Sequence, residues 1–429
     1  VPLPTASLHD WLVHIERVHP RAIEMGLDRV AKVRDALGLA PVFPVVTVGG
    51  TNGKGSACAM LEAILHEAGY KVGSYTSPHL LRYNERVKIA RNEASDEALV
   101  AALAAVDAAR GDTPLTYFEF STLAAVWLFA RERVEVAVLE VGLGGRLDAV
   151  NAFDPDCALL MSVDLDHMDY LGDTREAIGF EKAGIFRAGR PAICADPQPP
   201  STVLEYAATI GAELLLSGRD FGYDAEPRQW RYRGPRFERH GLPHPALRGA
   251  FQIANAAAVL AALDTLRDKA PVSAGDIRTG LLTAENPARF QVLPGRPAVI
   301  LDVAHNPAAA LALAQNLAGM QSAGRTYAVF AMLKDKDIAG VIGAVKARID
   351  EWLIAPSEGP RGADIDILRA ELARAGVFER VCEYDDVAAA YSQACERAGQ
   401  NDRIVVFGSF YTVAAVMAAR TGLTQGRAR

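Results

Sequence analysis

The stretch Val45-Val46-Thr47-Val48-Gly49-Gly50-Thr51-Asn52-Gly53-Lys54-Gly55-Ser56 decides the fold. A β-branched apolar run opens into a glycine-rich turn, and the turn opens into the helical pattern Ala57 to Ala68. The turn therefore sits between a buried strand and a helix N-terminus, where several backbone N–H groups can point at one anion. Lys54 adds a point charge and Ser56 a hydroxyl suited to Mg²⁺, so the reading is polyphosphate binding, with ATP as the ligand. The spacing departs from the usual phosphate-loop pattern: Gly55 separates Lys54 from Ser56, and Val48 stands where the first glycine would be. An ordinary glycine-rich turn is the alternative.

Working outward, strands alternate with helices. Tyr70 to Tyr75, Val134 to Val141 and Ala158 to Val163 read as strands, and Ser95-Asp96-Glu97 opens a helix running to about Arg110. Leu8 to Leu39 reads as two helices, Gly26 closing the first and Asp28 capping the second, and Phe120 to Arg131 as a buried helix. Thr76 to about Lys88 reads as an irregular loop, because Pro78 rules out a regular strand. Such alternation predicts an α/β fold with a mostly parallel sheet, helices on both faces, and ligands at the carboxyl ends of its strands.

Asp220 to His244 interleaves five arginines with Trp230, Tyr232 and Phe237, and its period-2 alternation fits a half-exposed β hairpin. Phe251 to Arg267 reads as an amphipathic helix, and the proline-rich stretch before Val299 to Ala304 as a boundary. Beyond it, Thr326 to Met332, Trp352 to Ala355, Arg380 to Glu383 and Arg403 to Phe407 restart the alternation as a smaller Rossmann-like domain without a dinucleotide fingerprint. The expected division is 1–287 as an ATP-binding domain including a small β-rich part, 288–297 as linker, and 298–429 as the second domain.

With 429 residues, half of them apolar, the chain can bury more than one core. A net charge of −7 offers no bulk attraction to nucleic acid or anionic membrane, so anionic ligands must be held by local cations. Five scattered cysteines without a Cys-x-x-Cys pair, and no apolar run of bilayer length, lead us to expect a cytoplasmic protein with reduced thiols. The chain begins with Val1 rather than methionine.

Two clusters carry chemistry. Glu140 ends an apolar strand, a costly place for a carboxylate unless a cation such as Mg²⁺ compensates it. Ser77 on the irregular loop and His167 after the next strand would complete an oxygen-rich site, although His167 reads equally as a hydrogen-bonded loop histidine. In the second half, Arg289 and the run Asp302-Val303-Ala304-His305-Asn306-Pro307 gather at a strand's carboxyl end, as an active-site wall in preference to a helix cap.

In order along almost the whole chain stand Gly26-Leu27-Asp28-Arg29-Val30, Gly50 to Ser56, Ser77-Pro78-His79-Leu80, Phe118-Glu119-Phe120 and Glu140 to Asp148. Asp166-His167, Glu181-Lys182-Ala183-Gly184, Arg289-Phe290 and Asp302 to Pro307 follow. This set resembles the folate branch of the Mur ligase family, the dihydrofolate synthase and folylpolyglutamate synthase enzymes. The resemblance implies ATP held by Thr51, Asn52, Gly53, Lys54, Gly55, Ser56, Asn255, Arg289 and Asp302. It implies one or two Mg²⁺ ions at Ser56, Ser77, Glu140 and His167, and a carbamylated lysine (N6-carboxylysine) at Lys182. Leu27, Asp28, Arg29, Val30, Phe118, Glu119, Phe120, Leu147, Asp148 and Ala149 would line the pterin pocket, and Arg82 with His305 would receive glutamate.

The implied activity is ATP-dependent amide ligation in the bifunctional manner. L-glutamate is added to dihydropteroate and to the γ-carboxylate of reduced folates through an acyl phosphate, with Lys54, Lys182 and His305 as the catalytic set. A monomer with small-molecule substrates and no nucleic acid or membrane partner is expected. A cell-wall UDP-muramyl amino-acid ligase and a monofunctional folylpolyglutamate synthase are the nearest alternatives. A phosphate-loop GTPase or motor, and a non-catalytic nucleotide-binding scaffold, are the distant ones.

Overall fold

Every side chain of Val45–Gly49 is buried, and this strand, β1, lies inside an eight-stranded sheet in the computed structural model, which describes residues 6–320 and 324–422. The chain enters through α1 (Leu8–Val18) and α2 (Asp28–Ala36). After β1 come α3 (Lys54–Glu67), β2 (Val72–Tyr75), β3 (Val87–Ile89), β4 (Asn92–Glu93), α4 (Asp96–Arg110), α5 (Tyr117–Arg131), β5 (Val136–Glu140) and β6 (Cys157–Leu160). Then α6 (Met168–Leu171), α7 (Arg175–Ala183), β7 (Pro191–Cys194), α8 (Ser201–Ile210) and β8 (Glu213–Leu216) complete the sheet, whose order is β4-β3-β2-β5-β1-β6-β7-β8. Five neighbouring pairs, from β2–β5 to β7–β8, are parallel; β3 and β4 add antiparallel at one edge.

The register sets up the site. β1 lies between β5 and β6, with Val48 opposite Glu140 and Gly49 opposite Leu160, and β2 flanks β5 with Tyr75 opposite Leu139. All four strands run the same way, so the segments after Tyr75, Gly49, Glu140 and Leu160 leave from one edge of the sheet.

A separate antiparallel sheet of β9 (Gly222–Ala225), β10 (Trp230–Arg233) and β11 (Glu238–Leu242) follows, and α9 (Gln252–Thr265) and α10 (Ala274–Thr283) finish this unit. The expected hairpin is thus three strands, with Trp230 and Tyr232 buried and the arginines outward, as alternation requires. α10 packs on α3 so closely that a Cβ on Gly280 would lie 2.5 Å from Ile64 Cα.

A second unit comprises Leu247–Gln252 and the chain from Asn286 onward. Its elements are β12 (Gln291–Leu293), β13 (Ala298–Leu301), α11 (Pro307–Gly319), β14 (Thr326–Phe330), α12 (Ile338–Val345), β15 (Glu351–Ile354), α13 (Ile365–Arg374), β16 (Val381–Glu383), α14 (Val387–Arg397), β17 (Arg403–Phe407) and α15 (Phe410–Thr421). The strand order is β12-β13-β17-β14-β15-β16, parallel except for β12. A core of Ile300, Phe330, Trp352, Val405 and Phe407 fills the space between this sheet and its helices.

Several expectations need correction. Gly26 does not close α1, which ends at Val18, and Asp28 is the first helical residue of α2 rather than its cap, since Leu27 occupies the cap without a side-chain bond. α5 begins three residues before Phe120, because Thr116 and Glu119 form a reciprocal capping box. α9 is not amphipathic: Ala256 to Leu263 are all buried, as a helix apolar on every side must be. The irregular loop after β2 contains β3, and the supposed linker 288–297 carries β12.

Candidate active site

The glycine-rich turn closes against the segment after β6. Thr51 N donates to Ser162 O at 2.7 Å, and Asn52 N donates to Ser162 Oγ at 2.9 Å. Thr51 Oγ1 donates to Asp164 O at 3.1 Å and accepts from Asp164 N at 3.0 Å. Gly50 takes φ 138°, and a Cβ there would lie 3.0 Å from both Met161 Cβ and Ser162 N. Gly53 caps α3 in the left-handed region, and α3 has neither a side-chain cap nor an acid in its first turn. Other helices here are capped by Ser7, Ser95, Thr116, Thr174, Ser273 and Asn306. Amides and dipole at the start of α3 are thus arranged for an anion rather than a side chain.

Lys54 folds back over the turn, with Nζ donating to Gly50 O at 2.9 Å and Thr51 O at 3.2 Å. The Asn255 carboxamide stands at the turn, its Oδ1 3.1 Å from where a Cβ on Gly53 would be. The hydroxyl-bearing Ser56 is buried in the first turn of α3.

Glu140 is 3% exposed, and its Oε2 accepts from Ser77 N at 3.0 Å. Its negative charge, after burial itself, raises the Cys58 thiol well above its ordinary value. His167 follows the Asp164 segment tied to Thr51, adopts a left-handed conformation at φ 52°, and has Nε2 3.9 Å from Asp166 Oδ2. Among the described residues no three His, Cys, Asp or Glu side chains converge on one point. One carboxylate with hydroxyls and an imidazole fits a Mg²⁺ ion completed by phosphate oxygens and water, and does not fit an all-protein cage.

The loop after β5 is built on Asp148. Its carboxylate accepts from Gly142 N at 3.1 Å, Leu143 N at 2.9 Å and Val150 N at 3.0 Å. Burial pushes its pKa up to about 7, against the opposing pull of those amides and of Lys54. The three segments expected around a pterin do meet. Arg29 Nη2 lies 3.0 Å from Glu119 Oε1, and Gly26 N donates to Leu147 O at 3.4 Å. The Phe118 ring lies 2.5 Å from where a Cβ on Gly142 would be. Leu27, Arg29, Phe118 and Leu147 are part-exposed and Asp28 is exposed. Val30, Phe120 and Ala149 are buried in the core, the Glu119 carboxylate pairs with Arg29 and accepts from Thr116 N, and that of Asp148 accepts from backbone amides.

Lys182, 5% exposed, lies in the last turn of α7, where Arg146 N donates to Glu181 O at 2.8 Å. Arg82 is exposed and paired with Glu93. The cluster that orders its loop was missed by the sequence reading: Glu85 accepts from Leu80 N, Leu81 N and Arg82 N, each at 2.7 Å. Arg86 Nε donates to His79 Nδ1 at 2.8 Å between the rings of Tyr83 and Tyr117, and burial with that guanidinium lowers the His79 pKa to about 4.

In the second unit, Asp302 Oδ2 accepts from Phe290 N at 3.0 Å and Oδ1 from Ala304 N at 2.8 Å; burial raises its pKa to about 6 against the pull of Arg289. His305 Nδ1 lies 2.8 Å from Val303 O, an acceptor only, so Nδ1 carries the proton. Asn306 caps α11 through Ala309 N at 2.9 Å, so at this residue the cap reading prevails over the wall. Phe410, also missed, lies beneath Arg289, whose Cζ is 5.1 Å from the ring centroid. Both clusters were invisible in sequence because aromatic and charged residues of such spacing are ordinary until strand ends bring them together.

A profile described as "Mur ligase middle domain" matches residues 48–263, and one described as "Mur ligase, glutamate ligase domain" matches 288–410. The chain is 45% identical over 417 residues to the dihydrofolate synthase/folylpolyglutamate synthase of Escherichia coli K12, covering 97% of this chain and 96% of that one. It is 40% identical over 429 residues to the protein of that name from Haemophilus influenzae, with coverages of 96% and 97%. E. coli FolC solved in complex with DHPP and ADP superposes with a TM-score of 0.94 at 44% identity, over 98% of this chain and 99% of that one. A bifunctional folylpolyglutamate synthase/dihydrofolate synthase with Mn, AMPPNP and L-glutamate bound gives 0.91 at 44%, with the same coverages.

Proposed function

This chain belongs to the Mur ligase family, in its dihydrofolate synthase/folylpolyglutamate synthase branch, and from that premise we infer how its residues divide the work. It is an ATP-dependent ligase that joins L-glutamate by an amide bond to dihydropteroate and to the γ-carboxylate of reduced folates. Residues 1–287 supply the nucleotide turn and the chain from 288 onward the glutamate-ligase part, with β12 as its first strand. The observation that carries the reading is the uncapped start of α3 beside Lys54, with the buried Glu140 carboxylate at the end of the neighbouring strand.

A carboxylate is a poor electrophile, so its oxygen first takes the γ-phosphoryl group of ATP, giving an acyl phosphate and ADP. The amine of glutamate then attacks the acyl carbon; the C–O bond to phosphate breaks and the amine loses a proton as the amide forms. Amides of Asn52 to Ser56 cradle the phosphates, Thr51 anchors the turn, and Lys54 moves its ammonium from the turn's carbonyls onto them. Ser56, Ser77, Glu140 and His167 would hold Mg²⁺, which when bound neutralises phosphate charge. Asn255, Arg289 and Asp302 are the remaining residues assigned to the nucleotide.

His305, with its proton fixed on Nδ1, offers Nε2 to the amine of glutamate. Arg82 assists only after exchanging Glu93 for the glutamate carboxylate. Leu27, Asp28, Arg29, Phe118 and Leu147 contact the pterin, while Val30, Glu119, Phe120, Asp148 and Ala149 shape that wall from behind. Lys182, a buried amine, is carbamylated, giving a carboxylate that could hold a second metal.

The protein acts as a cytoplasmic monomer without nucleic acid: its cysteines are free thiols, and three arginines of the small sheet are engaged by Asp224 and Asp264. No described helix is long and apolar enough to cross a membrane. The test is ATP-dependent phosphate release from purified protein. It should require glutamate together with either dihydropteroate or tetrahydrofolate; release with only one of the two acceptors would restrict the assignment to one activity.

A further inference from the structure

Arg289 sits between two non-glycine residues in the left-handed region, Ala288 at φ 61° and Phe290 at φ 45°, both buried. Such backbone persists only where its surroundings over-determine it. Here Ala288 N donates to Gln291 Oε1 at 3.0 Å, Val303 N to Ala288 O at 3.0 Å, and Phe290 N to Asp302 Oδ2 at 3.0 Å. This arch fixes the Arg289 backbone, but the long side chain beyond Cβ still has many rotamers to lose.

Phe410 adds a restraint on that side chain. It opens α15, and its ring faces the Arg289 guanidinium at 5.1 Å and the His305 imidazole at 6.3 Å with a 50° tilt. The ring is itself held. Ser409 caps the helix through Thr412 N at 3.0 Å, Thr412 Oγ1 donates to Ala331 O at 2.7 Å, and Gly408 at φ 118° lies where any Cβ would meet Ala331 O. β13 and β17 are parallel neighbours, with Asp302 N donating to Val406 O at 3.0 Å, so their following turns leave side by side.

We propose that Phe410 is a positioning residue whose ring orients Arg289 and His305 together, so that both meet their substrates already ordered. A guanidinium over a ring keeps its charge and its outward N–H groups while losing freedom to swing, which is pre-organisation rather than a new contact to substrate. This rests on the reading above that Arg289 serves the nucleotide and His305 the glutamate.

The test compares Phe410→Leu, which keeps an apolar side chain without a π face, with Phe410→Tyr, which keeps the face. Phe410→Leu should raise KM for ATP, for glutamate, or for both, by about three- to thirty-fold at unchanged Tm, with Phe410→Tyr close to wild type. In an Arg289→Ala background, Phe410→Leu should no longer change KM for ATP. Phe410→Met takes the place of the leucine variant should that one be unstable.

Unchanged constants in Phe410→Leu, or the same ATP penalty with and without Arg289, would overturn the proposal. Wild-type constants in Arg289→Ala alone would instead reject the Arg289 assignment, and the ring's action through His305 would then be read from KM for glutamate.

Discussion

Ser77 and Glu140, 63 residues apart in sequence, are joined by one hydrogen bond, Ser77 N to Glu140 Oε2 at 3.0 Å. The bond exists because β2 and β5 are parallel neighbours in register, Tyr75 opposite Leu139, so the chain leaving β2 passes over the last residue of β5. A main-chain donor spent on a carboxylate fixes where that carboxylate points. The Ser77 amide thereby helps orient Glu140.

Glu140→Gln therefore separates charge from position. We expect kcat to fall on the order of 100-fold or more, and the Mg²⁺ concentration needed for half-maximal rate to rise, because a neutral amide cannot hold the cation. Thermal stability should be kept or slightly improved, since the variant buries no charge. Near-normal kcat at saturating Mg²⁺ would falsify the metal assignment.

Thr51→Val tests the tie between the turn and the segment carrying His167. The change removes a hydroxyl that both donates to Asp164 O and accepts from Asp164 N. Loss of this pair should cost about 1–3 kcal/mol, visible as a lower urea midpoint, and should raise KM for ATP. A variant with unaltered KM would mean that the turn holds its shape without Asp164.

The pH dependence has a definite sign. Asp148 is raised from an ordinary value of 3.8 to about 7 and Asp302 to about 6, both chiefly by burial. In the window between unfolded and folded values the native state binds more protons, so each residue's contribution declines as pH rises from about 4 to those values. Each can add a slope of up to about 1.4 kcal/mol per pH unit. Asp148→Asn and Asp302→Asn should each flatten the decline over its own window in urea unfolding, whatever their absolute stability. Curves parallel to wild type would show that the carboxyls titrate normally.

Carbamylation of Lys182 predicts a carbamate carbon signal when the protein is equilibrated with ¹³C-bicarbonate. The signal should be absent from Lys182→Met. Wild-type turnover should drop when carbon dioxide is stripped from the buffer and recover on adding bicarbonate, and indifference to bicarbonate together with no carbamate signal would exclude the modification.

The nucleotide turn was legible because strand, turn and helix are contiguous, and each has a local signature in the apolar run, the glycines and Lys54. Ser95 was legible as a cap for a similar reason, whereas Asn306, read as part of an active-site wall, caps α11 instead. What stayed hidden depends on neighbours distant in sequence. Gly26 looked like a helix stop, yet it lies eight residues beyond the end of α1 and meets Leu147. Phe120 and Val30 belong to motifs that suggest a pocket, and only burial reveals that they face the core. The Arg86–His79 and Arg289–Phe410 arrangements arise from where strands and loops end, which periodicity does not encode. β12 lay within proline-rich sequence whose pairing with β13 no local pattern announces.

The helix after the turn begins on Gly53 with no side chain to finish it. With nucleotide bound there, as proposed above, occupancy and the folding equilibrium are coupled. By mass action, nucleotide at a hundred times its dissociation constant adds about 2.7 kcal/mol to stability. Stripped of nucleotide, the protein would be not only idle but closer to unfolding by that amount.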